Sequence, residues 1–189
     1  MSDAPNTNPR NVLLGCSASA ALHKGADLAS KLTQAGYRVR CVLTPRAAEL
    51  ISPQLFEALT GEPAHSTEFG DARRGGMDHI DLSQWAGAVV VAPASADLVG
   101  RIANGLGGDL LTTALLAVPT AVPRLFSPAM NPNMWSAPAV QRNVARLVED
   151  GWTMAEPGEG HMACGVAGPG RMVEPLDLVA RLDELVGER

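Results

Sequence analysis

Apolar residues come in short blocks broken by glycine, proline and polar residues, and the spacing within the blocks switches between strand and helix periods. NVLLG (11–15) is a short, mainly apolar run that predicts a strand. Leu28, Leu32 and Ala35 then recur at helical spacing, with Gly36 as a stop. YRVRCVLT (37–44) alternates and carries β-branched residues, as a second strand would. Thr44-Pro45 and Ser52-Pro53 each set an N-cap residue before a first-turn proline, predicting two short helices, the second closed by Gly61. Residues 62–78 are polar and glycine-bearing and predict a mobile loop. AVVVAPA (88–94) is the strongest strand, and its continuous apolar character implies burial on both faces. Residues 95–117 predict helix, glycine break, helix. A strand over 124–129, a helix over 138–150, a strand over 153–157 and an amphipathic helix over 175–186 complete the pattern.

Strand and helix alternate throughout. The expected fold is α/β, a three-layer Rossmann-like (flavodoxin-like) doubly wound parallel sheet. It forms a single domain over 11–189 behind a disordered lead-in over 1–10. Ligands of such sheets bind beyond the carboxyl ends of the strands. The informative segments are therefore 15–21, 44–46, 93–98, 127–135 and 158–172.

Composition narrows the function classes. The chain has 189 residues, enough for one substantial core. Its 20 acidic and 15 basic residues give a net charge of −5, which offers nucleic acid no electrostatic support. The apolar runs are too short, and too often broken by charge or proline, to span a bilayer, so no membrane partner is expected. The first ten residues lack the apolar core of a secretory signal. Cys16, Cys41 and Cys164 are odd in number and well separated, with no CxxC. Neither a metal site nor a disulfide framework is predicted, and a reducing, cytoplasmic setting fits.

Several of the post-strand segments carry candidate chemistry. In GCSASAA (15–21), Gly15, Ser17 and Ser19 would let a phosphate approach a helix N-terminus, or would simply make a tight turn. The segment is neither GxGxxG nor a P-loop. In APASADLVGRIANGLGGDLLTT (92–113), Pro93 ends the strand, Ala94 follows, Ser95 is a plausible N-cap and Asp97 suits the helix dipole. Capping alone explains these residues but not NGLGGD (104–109). Three helical glycines there cost about 1 kcal/mol each against alanine. Something flat, or another backbone, is expected close by. Asn131, set between Met130 and Pro132 in SPAMNPNMW (127–135), is a directed polar group in a rigid turn or an Asx-turn. In MDHIDL (77–82), His79 has Asp78 and Asp81 near it, either of which would raise its basicity. The bland reading is a surface or capping histidine. His23, His65 and His161 have less support. GEGHMACGVAGPGRM (158–172) wraps a glycine-rich loop around one thiol.

In this order and at these separations, APASADLVGRIANGLGGDLLTT, PAMNPNMW and ACGVAGPGRM resemble the homo-oligomeric flavin-containing cysteine decarboxylases, above all the bacterial members that act on phosphopantothenoylcysteine. The likeness runs from about residue 11 to about residue 180. It implies bound FMN at an interface between subunits of a trimer, or of trimers assembled into a dodecamer. The family's catalytic histidine matches His79, and its carboxylate-associated asparagine matches Asn131. Its flap cysteine matches Cys164, with Ala163 and Gly165 beside it on the substrate. The phosphate- and flavin-contacting segments match 15–19 and 93–97, with Thr44 at the next strand end and Met130 near the ring. Arg171 could hold a substrate phosphate by its charge, or make a structural salt bridge.

The expected activity is FMN-dependent decarboxylation of 4′-phosphopantothenoylcysteine to 4′-phosphopantetheine, in coenzyme A biosynthesis. Oxidation of the thiol to a thioaldehyde gives the electrons of the departing carboxylate a sulfur to flow into, and the enethiol is then re-reduced. Cys164 favours this full cycle. The alternatives are an oxidative decarboxylase of a peptidyl C-terminal cysteine, giving an aminoenethiol, and a non-catalytic FMN-binding regulatory subunit. Val166 replaces the acidic residue common after ACG in the bacterial enzymes. The usual fused synthetase domain does not follow in this sequence, so a synthetase partner is either separately encoded or removed by truncation.

Overall fold

The computed structural model describes residues 8–68, 77–161, 165 and 167–187. Six parallel strands form its centre: β1 (Asn11–Cys16), β2 (Arg38–Leu43), β3 (Ala64–His65), β4 (Ala88–Ala94), β5 (Arg124–Pro128) and β6 (Thr153–Met154). Their spatial order is β3-β2-β1-β4-β5-β6, that of a Rossmann sheet. Leu14 of β1 pairs with Cys41 of β2 on one side and Val90 of β4 on the other. The order reverses between β1 and β4, which places the topological switch point there.

Alternation along the central strands feeds two cores. Val12, Leu14, Val39, Cys41 and Val90 meet α1 (Leu22–Gln34), α3 (Pro53–Thr60) and α9 (Pro175–Gly187). Leu13, Val89, Val91 and Phe126 meet α4 (Asp78–Trp85), α5 (Ala96–Ala103), α6 (Leu110–Ala117) and α8 (Pro138–Glu149). Burial on both faces is why the strands read as unbroken apolar runs. The expected caps form. Thr44 accepts from Ala47 N–H at the start of α2 (Pro45–Ala48), Ser52 from Gln54 N–H and Ser95 from Leu98 N–H. Gly61 closes α3 in the left-handed conformation.

Several elements differ from the sequence expectation. Part of the segment expected as a mobile loop over 62–78 is ordered into β3, a two-residue edge strand too short to show alternation. Residues 78–85 form α4, whose one buried large apolar residue, Leu82, gives no helical stripe to read. Pro93 does not end its strand: β4 continues to Ala94 through a cis Ala92–Pro93 bond and a register shift against β5. Asn131 opens a short helix, α7 (Pro132–Trp135). The glycine-rich segment expected as a loop includes an antiparallel hairpin, β7 (Gly158–His161) with β8 (Ala167–Arg171). Its glycines carry no period-two apolar signal. Within the subunit, a Cβ on Gly107 of NGLGGD would lie 3.1 Å from Oγ1 and 3.6 Å from Cα of Thr113. A Cβ on Gly108 would lie 2.7 Å from Nη1 of Arg101, a side chain of the preceding helix.

Among the described residues no helix is long and apolar enough to cross a membrane. No group of three His, Cys, Asp or Glu among them could hold a metal ion. Cys16 and Cys41 are buried free thiols.

Candidate active site

The site forms where the chain leaves β1 and β4. Ser17 stitches these two turns together. Its backbone N–H and its hydroxyl both donate to the Pro93 carbonyl, at 3.1 and 2.8 Å, and the hydroxyl oxygen accepts from Ser95 N–H at 2.8 Å. Just before it, the Cys16 thiol donates to the Ala92 carbonyl, and burial pushes that thiol far above its ordinary range. Beyond the stitched turns opens a cavity of about 820 Å³. Ala18, Ser19, Ala20 and Ala21 line it after β1, and Ser95 and Ala96 line it after β4. The small residues expose the beginnings of α1 and α5, where unsatisfied N–H groups and the helix dipole favour an anion.

The turn after β5 supplies a third wall. Ala129 N–H donates to the Ala94 carbonyl, and Met130 N–H donates to the Gly170 carbonyl of β8 at 3.0 Å. Met130, Asn131 and Met134 face the cavity. The Asn131 side-chain oxygen also accepts from Asn133 N–H at 2.8 Å, the Asx geometry of an N-cap. The hairpin rests on this turn. A Cβ on Gly168 would lie 3.0 Å from Pro132, so only glycine lets the strands approach so closely.

Charge is confined to a fourth wall. Lys24 donates to a Glu174 carboxylate oxygen at 2.8 Å and to the Met172 carbonyl at 3.3 Å. Arg171 donates to the same Glu174 oxygen at 2.8 Å. Lys24, with help from Arg171, holds the Glu174 carboxyl below its usual range. Lys24, which the sequence did not single out, and His23, which had less support there than His79, also line the cavity. Their place in the first helical turn after a β1 turn was the available signal.

The structure sorts the candidate residues. Ser19, Ser95, Met130, Asn131 and Arg171 come together around the cavity. Gly15 does not reach it. It lies inside β1, where a Cβ would meet Leu111 of α6 at 2.7 Å, so its size serves packing of helix on sheet. Ser17 is engaged in the stitch between turns, with Pro93 as its acceptor, and Ala94 is buried beneath. Thr44 caps α2. Asp97 pairs with Arg101 one turn along α5, at 2.9 Å on the exposed side. None of these lines the cavity. The hydrogen-bond partner of His79 is neither Asp78 nor Asp81. Its Nδ1 meets the carboxylate of Glu68, from the segment after β3, and His79 itself sits on α4, which packs against α6, off the cavity wall. Gly165 is exposed, with φ +78°. Ala163 and Cys164 lie outside the described residues.

A largely apolar cavity with helix N-termini at the switch point of a doubly wound sheet defines a nucleotide- or flavin-binding α/β protein. The sequence pattern of the Flavoprotein family matches residues 2–187, and the chain belongs to that family. The chain is 42% identical over 172 residues to the coenzyme A biosynthesis bifunctional protein CoaBC of Bacillus subtilis (strain 168). That match covers 91% of this chain and 42% of CoaBC, so the chain spans less than half the length of this curated relative. Two solved structures share the fold along nearly their full lengths. The FMN-dependent cysteine decarboxylase SpaF is 32% identical with a TM-score of 0.79, covering 96% of this chain and 98% of SpaF. A cysteine-to-serine mutant of PPC decarboxylase complexed with pantothenoylaminoethenethiol is 31% identical with a TM-score of 0.82, covering 95% and 98%.

Proposed function

We propose that the protein is an FMN-dependent carboxy-lyase that converts 4′-phosphopantothenoylcysteine to 4′-phosphopantetheine in coenzyme A biosynthesis. The observation that carries this reading is the docking of the β7–β8 hairpin onto the Met130–Asn131 turn at the mouth of the cavity. A directed amide thereby sits under a strand pair that leads into and out of the Cys164 segment. Likeness to a PPC decarboxylase and to CoaBC supports the substrate.

The residues present fit FMN. The volume falls within the roughly 300–1,000 Å³ usual for small-molecule sites. Alanines and methionines offer an apolar slot for the ring. Ser19 and Ser95, at the starts of α1 and α5, offer hydroxyls and helix N-termini for the phosphate. When bound, FMN supplies a two-electron acceptor for the substrate thiol and can return the pair. Asn131 orients the substrate carboxylate for departure as CO₂. His79 holds or moves the thiol proton, with Glu68 fixing its ring. The hairpin excludes water from the covered substrate.

A homotrimer, alone or assembled into a dodecamer, completes the site. His79 and Glu68 stand off the cavity of their own subunit, which supports delivery of the histidine by a second copy. Exposed Leu106 and Leu116, on and beside the glycine break, support an apolar contact between copies. The buried free thiols Cys16 and Cys41 are in keeping with a reducing, cytoplasmic setting, and likeness to the bifunctional CoaBC supports a synthetase as partner.

The test is anaerobic incubation of the purified yellow protein with 4′-phosphopantothenoylcysteine, followed by product mass. Loss of CO₂ alone supports the full cycle, and loss of CO₂ plus two hydrogens assigns the oxidative chemistry instead. A colourless protein that takes up no FMN overturns both. Cys164→Ser should stall at the enethiol; full product from that variant removes the proposed role of the thiol.

A further inference from the structure

The ionisable side chains on the described cavity wall are His23, Lys24 and Arg171; no carboxylate lines it. Lys24 and Arg171 converge on one carboxylate that stands behind the wall, so two fixed cations share one anion and a positive charge is left over. Lys24 has three N–H donors and Arg171 five, far more than the bonds to Glu174 and Met172 consume. The Lys24 side chain is only 15% exposed, so its ammonium is held in place rather than sweeping through solvent. Arg171 crosses the hairpin over Gly160, where a Cβ would come within 3.3 Å of Nη1, so the flap strand also leaves room for the guanidinium.

An apolar cavity that keeps such a wall is built for a ligand with an anion at a fixed distance from its reacting end. The neutral helix starts at Ser19 and Ser95 already suit the cofactor's phosphate, and the substrate carboxylate belongs at Asn131. Arg171 belongs to β8 of the flap, and Lys24 is tied to Met172 and Glu174 just beyond it, so both cations stand where the flap meets the body of the subunit. A peptide ending in cysteine brings only the carboxylate that is lost. A substrate capped by a phosphate monoester brings a second anion of about −1.5 to −2 charge.

We propose that Lys24 and Arg171, positioned by Glu174, are the specificity determinants of this site and select substrates bearing a phosphate monoester at the end remote from the cysteine. This rests on the decarboxylase reading above and extends it to the choice between a phosphorylated small molecule and a peptide.

The experiment titrates the FMN-loaded protein with 4′-phosphopantetheine and with pantetheine by calorimetry, so that selectivity is read without turnover. The wild type should favour the phosphorylated probe by about 10- to 100-fold, the range for charge-assisted hydrogen bonds. Arg171→Ala should bring the ratio of dissociation constants toward one while flavin absorbance and melting temperature hold, and Arg171→Lys should restore part of it. Lys24→Gln should act in the same direction; the exposed Arg171 keeps the test decisive should the more buried Lys24 variant fail to fold. Equal wild-type affinity for the two probes overturns the proposal. So does loss of FMN from Arg171→Ala, which would assign the cations to the cofactor's phosphate. Selective binding without decarboxylation would uphold the selectivity and defeat the decarboxylase reading; turnover without selectivity would do the reverse.

Discussion

Asn131 caps α7, and the proposed reaction gives the same side chain a second role that can be separated from the first. Its oxygen caps α7, and its place on the cavity suits it to orient a carboxylate. Asn131→Asp keeps an acceptor for Asn133 N–H but sets a negative charge beside the substrate's own. Turnover should fall by about 100-fold or more with little change in melting temperature. Asn131→Ala should lose turnover and about 1 kcal/mol of stability as well, measured by thermal melts of both variants. Glu68→Gln should retain flavin and fold but lower kcat in steady-state assays, since it changes the group that meets the His79 ring. Asn131 was legible in the sequence because an Asn-Pro turn after a strand is a local feature. The role of Ser17 was not. Its acceptor is 76 residues away, and only the adjacency of β1 and β4 turns a candidate phosphate ligand into a tie between turns. Removing that tie with Ser17→Ala leaves Ser95 N–H without its buried acceptor and should cost about 1–3 kcal/mol in denaturant melts.

At the scale of elements, local chemistry sufficed wherever it was repetitive. The proline-led caps at Thr44 and Ser52, the stop at Gly36 and the apolar run of β4 all depend on near neighbours. The β7–β8 hairpin does not. Its glycines are there for approach: Gly168 lets β8 settle on Pro132, and the Gly170 carbonyl takes Met130 N–H. Gly168→Val should push the flap off α7. Because the hairpin lies outside both cores, melting temperature should move little while kcat/KM falls by about tenfold, a contrast that steady-state kinetics beside calorimetry will reveal. Edge strand β3 and helix α4 escaped the sequence for a related reason. One is too short, and the other too polar, for periodicity to register.

On the scale of the whole molecule, charge lies at both ends of the sheet. Away from the cavity, Arg38 and Arg40 converge on Glu62 at 2.6 and 3.3 Å and stack on the Trp85 ring. Burial pushes the Glu62 carboxyl up, but the two guanidinium groups outweigh it and hold it below its usual range. A carboxyl lowered by folding stabilises the protein above its unfolded pKa, near 4.3, and loses that contribution as pH falls through the lower folded value. Glu62→Gln should therefore cost about 1 kcal/mol at pH 7, and its deficit should close below about pH 4 in urea titrations. The alternation of the longer strands and helices, the burial of the sheet on both faces and the strand ends at which to look for a site were determined by the sequence alone, because periodicity and punctuation are written in neighbouring residues. Which of those residues face the cavity was decided only by the tertiary structure. Ser17 turned inward, Gly15 was taken up by Leu111, Glu68 reached His79, and Lys24 met Glu174 across 150 positions, because such pairings depend on which strands adjoin and which helices cover them.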